Sequence, residues 1–77
     1  MLISQRLKLD LIHSYLMHKG FPYHSVSVVY RPNEIGYHVF IMSGVKELIT
    51  DDISLCLSHE GFNITIVQDP IPGTNER

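Results

Sequence analysis

The chain contains no alanine and no tryptophan, and its single cysteine, Cys56, excludes an intramolecular disulfide. Without the best intrinsic helix former, any helix here must lean on tertiary packing. A lone thiol suits a reducing compartment, and a cytoplasmic location is expected. No apolar run approaches the ~20 residues that span a bilayer, and the N-terminus lacks a charged region followed by a long apolar core. No membrane association is expected, and the glycosylation sequon Asn63-Ile64-Thr65 would then never meet its machinery. The bias toward Ile, Leu and Ser is compatible with the coding composition of a virus or mobile element, where small inhibitors and accessory proteins are found.

Positive charge is also sparse. Six Lys and Arg against eight Asp and Glu give a net charge of −2, and the basic residues are scattered with no run among them. Phosphate neutralisation supplies most nucleic-acid affinity, so such a partner is disfavoured. The alternative keeps Tyr30, Arg31 and Tyr37 as base-stacking residues on a sheet, with Phe40 nearby.

Catalytic patterns are missing as well. There is no Gly-rich phosphate loop and no Ser-centred elbow. Asp51 and Asp52 are adjacent and would point about 100° apart on a helix, which rules out an acid/base pair. Cys56 among Ile53 and Leu57 reads as a small core residue rather than a nucleophile. Cys56 and His59 are spaced for one side of a helix, but no second ligand pair accompanies them, so neither a metal nor another cofactor is expected. Five histidines invite a pH-switch reading, although His is an ordinary surface and capping residue. The chain reads as non-enzymatic.

What is present is a repeated pattern, Leu-x-His-x-Gly-Phe, at Leu16–Phe21 and again at Leu57–Phe62. Glycine just past a helix adopts the left-handed conformation without a side-chain clash, and an apolar residue after it folds back on one five positions earlier. Phe21 should therefore meet Leu16, and Phe62 should meet Leu57. His18 and His59 fall in the last turns, where a cationic side chain complements the helix dipole. The halves share little else, so the repeat reads as a capping device used twice.

At 77 residues, with 44% hydrophobic and 18% charged, the chain fits one globular domain. That domain is assigned to residues 1–68, with 69–77, rich in Pro and Gly, as a flexible tail. A domain so small buries only about 60% of its unfolded surface, and a partner or second copy would help.

Ser4 can cap a first helix running to about Lys19, with Leu7, Leu11, Ile12, Tyr15 and Leu16 on its inner face. Ser25 to Arg31 and Tyr37 to Met42 alternate as strands, and the short loop between them predicts an antiparallel hairpin. Thr50, followed by Asp51 and Asp52, caps a second helix to about Glu60, with Ile49, Ile53, Cys56 and Leu57 inward, and the stretch from Ser43 to Ile49 is ambiguous. Phe62 to Val67 is a third strand. The expected class is α+β, in the order α-β-β-α-β, with a three-stranded, mainly antiparallel sheet and two helices packed on one face. The third strand is expected beside the first, with the first strand central, in preference to a place beside the second that would give one parallel pair.

The second strand is apolar on both sides, and only one set can face the helices. With Tyr37, Val39 and Ile41 inward, the opposite face gathers Val29, Phe40, Met42 and Val67, flanked by His38, Ser27 and Thr65. Aromatic and Met residues are enriched at protein contacts. Val29, Phe40, Met42, Val67 and His38 are the candidate partner-binding residues. The expected role is a small protein-binding or regulatory module that docks a protein partner, or forms a homodimer, through this face or a strand edge.

Overall fold

The two Leu-x-His-x-Gly-Phe copies end two helices in the same way. A computed structural model describes residues 3–68, with helix α1 over Ile3–His18 and helix α2 over Asp51–His59. After α1, the Phe21 N–H donates to the Leu16 carbonyl (3.3 Å) and the Gly20 N–H to Met17 (3.0 Å). After α2, Phe62 donates to Leu57 (2.8 Å) and Gly61 to Ser58 (3.0 Å). Both are complete Schellman caps, with φ of +102° at Gly20 and +84° at Gly61. Leu16, Leu57, Phe21 and Phe62 all join a single core cluster.

Three strands follow from these anchor points: β1 Val26–Arg31, β2 Gly36–Met42 and β3 Asn63–Val67. β1 and β2 pair antiparallel, with Val28 opposite Val39 and Tyr30 opposite Tyr37. The fold is α+β in the expected element order, with two helices on one face of a three-stranded mixed sheet that holds one antiparallel and one parallel pair. The expected strand order is corrected. β3 lies beside β2 and parallel to it, so β2 is central and the order is β1-β2-β3. α1 packs over β1, and α2 takes the other half of the helix-side face. The chain leaving α2 therefore drops onto the free edge of β2, and a crossover of this kind returns its strand parallel.

The local expectations shift at three further places. Ser4 lies inside α1 rather than capping it. Ser25 belongs to a 3-10 turn over Tyr23–Ser25, where its N–H and Oγ both donate to the Pro22 carbonyl (3.0 and 2.6 Å). Leu7 and Leu11 are exposed, whereas Leu9, Ile12 and Leu16 face the core. At about 100° per residue, Leu9 lies within about 20° of Leu16, while Leu11 is about 140° away. The cap fixes Leu16 inward, and the rest of the helix follows it.

Thr50 caps α2 as expected, its Oγ1 accepting from the Ile53 N–H at 3.4 Å, with Asp51 and Asp52 in the first turn. The ambiguous stretch forms 3-10 turns over Ser43–Leu48, broken at Val45, and Ile49 packs on the core ahead of the helix. The assigned tail, 69–77, lies outside the described residues. Among the described residues, no helix is long and apolar enough to cross a membrane.

Candidate partner-binding surface

Strand alternation and the two helices together decide which side of the sheet is covered. Val39 and Ile41 are completely buried beneath α1 and α2, so Tyr37 and its alternating partners face inward. The register places Ser27 opposite Phe40 and Val29 opposite His38, then Phe40 beside Thr65 and Met42 beside Val67. Val29, Phe40, Met42, Val67 and His38 thus share one face, the one with no helix over it among the described residues. Val29, Phe40 and Met42 are half-buried, and Val67 is exposed.

This face is not flat. A cavity of ≈ 340 Å³ opens at one end, lined by Phe40, Met42 and Val67 together with His24, Ser25 and Ser27. Sequence patterning does not point to His24 and Ser25 at its rim. The available signal is Pro22, whose carbonyl accepts both Ser25 bonds and curls the chain back beside the start of β1. At the other end of the face His38 stacks on Phe40, with ring centroids 4.6 Å apart and planes at 25°. Its Nε2 lies 2.5 Å from Thr65 Oγ1, while its Nδ1 is buried without a hydrogen-bond partner.

Of the residues considered for base stacking, Tyr30 and Tyr37 are brought together, and Phe40 is not. Tyr30 and Tyr37 face the helix side, their ring centroids 4.4 Å apart, and Tyr37 also packs on Phe62 at 5.0 Å. Lys8 Nζ stands 4.5 Å from the centre of the Tyr37 ring, closing the group from α1. Arg31 is exposed and ion-paired with Glu34 at 3.6 Å. Phe40 projects from the opposite face, so the four residues form no common platform.

Cys56 is half-buried, and it faces Tyr15 of α1 across the two helices. The Tyr15 phenol is pushed above its ordinary value of 10.0, first by loss of hydration, then by the Cys56 thiol and by the charges of Cys56 and Asp52. Among the described residues, no group of three or more His, Cys, Asp and Glu is placed to hold a metal ion. Comparison with protein-family models, with characterised proteins and with solved structures finds no match to this chain.

Proposed function

We propose that the protein is a non-enzymatic binding module that docks a polypeptide partner on the uncovered face of its sheet. The observation that carries this reading is the apolar cavity between Phe40, Met42 and Val67 on a face that no helix covers. Its volume suits one large apolar side chain, and Met and aromatic walls adapt to such an insert. Phe40 and Met42 are the anchors, Val29 and Val67 add apolar area, and Ser27, His38 and Thr65 form the polar surround. A regulatory role in the cytoplasm accords with this mode and with the single thiol.

The test is selection of peptides from a displayed random library on the immobilised full chain. Enriched peptides should share a large apolar residue and lose at least about tenfold in affinity toward Phe40→Lys, since one buried anchor is worth 2 kcal/mol or more. If peptides bind Phe40→Lys as well as they bind the parent while the variant stays folded by circular dichroism, the reading is wrong.

A further inference from the structure

One row of side chains crosses the helix side of the sheet from Val26 through Ile41 to Ile66. Their exposures are 8%, 0% and 42%. The row is apolar throughout, yet its last member stands open, and among the described residues no strand lies beyond β3. The main-chain groups along that edge are likewise unpaired within the sheet.

The two edges of the sheet differ. Beside β1, α1 carries Arg6 and Asp10, an exposed ion pair at 3.6 Å, and these residues with Tyr23 and Val28 line a second cavity. Charged side chains at an edge discourage strand addition. β3 itself has no such guard. Its five residues, Asn-Ile-Thr-Ile-Val, include no charge, proline or glycine. On α2, Cys56 faces Tyr15 of α1. Ser54 and Ser58, each about 200° round the helix from Cys56, put small side chains on the flank above the edge, with Asp51 about 20° from Ser58 in the first turn.

We infer that β3 pairs edge to edge with β3 of a second copy, antiparallel and centred on Thr65, to make one six-stranded sheet. A two-fold axis at Thr65 pairs all five residues: Thr65 with itself, Ile64 with Ile66, and Asn63 with Val67. Facing residues in an antiparallel pair share a side of the sheet, so Ile66 is covered by Ile64 of the second copy on the helix side. An uncharged strand meets its own copy with no like-charge repulsion, which is what an isologous contact requires. The second copy also supplies the burial that so small a domain lacks. The two uncovered faces then lie on the same side of the doubled sheet. The pairing stands on the edge of β3 and does not depend on the occupant of the Phe40 cavity.

The test is solution mass by light scattering on the full chain over a wide concentration range. The parent should reach twice its 8.8 kDa monomer mass. Ile66→Lys, on the helix side, should weaken the dimer at least about tenfold by setting lysines beside the two-fold. Phe40→Lys, on the other face, should leave the dimer intact even where it abolishes peptide binding. Thr65→Cys in a Cys56→Ser background should form a disulfide-linked dimer under mild oxidation, because residues on the axis have Cα atoms about 4.5–5.5 Å apart. Ser27→Cys in the same background should stay monomeric on a non-reducing gel. A monomer at every concentration would overturn the inference. So would a dimer that Phe40→Lys dissociates and Ile66→Lys does not, or one that Thr65→Cys fails to cross-link.

Discussion

His38 and Thr65 bridge β2 and β3 through their side chains, Nε2 to Oγ1 at 2.5 Å, on the uncovered face of the sheet. The other ring nitrogen, Nδ1, is buried without a partner, so this bond is the one that satisfies the imidazole. Thr65→Val should remove the one protein hydrogen bond of the ring and cost about 1 kcal/mol in urea denaturation. Adding His38→Phe should recover most of that loss, because replacing both polar partners with apolar groups of similar shape is nearly neutral. The Phe ring also keeps the stack on Phe40. Additive losses in the double variant would show that the bridge does not couple the two strands.

Gly20 and Gly61 occupy left-handed backbone with open space where a Cβ would go. Replacing either by alanine therefore tests conformation alone, with no steric contact to confuse it. Each substitution should cost about 1–2 kcal/mol, the penalty for a side chain in left-handed backbone. Thermal unfolding of the two single variants measures this directly. A neutral Gly61→Ala would mean that the end of α2 does not hold its cap in solution.

The caps were the most legible part of the chain because a Schellman motif is local: glycine, the apolar pair and their spacing all lie within six residues. The face of β2 was legible for a similar reason, since strict alternation around Val39 and Ile41 leaves two choices and a single core selects one. Strand order was not. Whether β3 joins β1 or β2 depends on where α2 packs relative to α1, and no local pattern encodes that. Spacing alone does not separate the inner stripe of α1, because the helix is apolar on two sides, with Ile3, Leu7 and Leu11 outward and Leu9, Ile12 and Leu16 inward. The phase of Leu16, already fixed by the cap, was the signal that separates them. On the candidate surface, the five residues of the apolar face followed from alternation, whereas the cavity rim at His24 and Ser25 depends on a turn that brings them back beside β1.

That two-sided helix supplies its own test. Leu16 is fully buried and Leu11 is 69% exposed, though both are leucines in the same helix. Leu16→Ala should cost about 2–5 kcal/mol by leaving a cavity under the cap, enough to unfold much of so small a domain. Leu11→Ala should fall within about 0.5 kcal/mol of neutral, with the helix propensity of alanine offsetting any lost contact. Denaturation midpoints in urea separate the two outcomes.

Tyr15 of α1 faces Cys56 of α2 and carries a phenol whose titration is shifted upward. Loss of hydration, the Cys56 thiol and the charges of Cys56 and Asp52 all favour the protonated form. In the unfolded chain the same group titrates near its ordinary value of 10.0. The folded state therefore holds the proton to higher pH, and its stability contribution is complete below that value. It declines as pH rises from 10.0 through the raised folded value, because there the unfolded state releases the proton first. Tyr15→Phe cannot titrate, so its unfolding free energy should fall less steeply over that alkaline window. Urea denaturation of both proteins from neutral pH to above 10 checks the slope. Identical alkaline slopes would mean that Tyr15 does not titrate differently in the folded and unfolded chains.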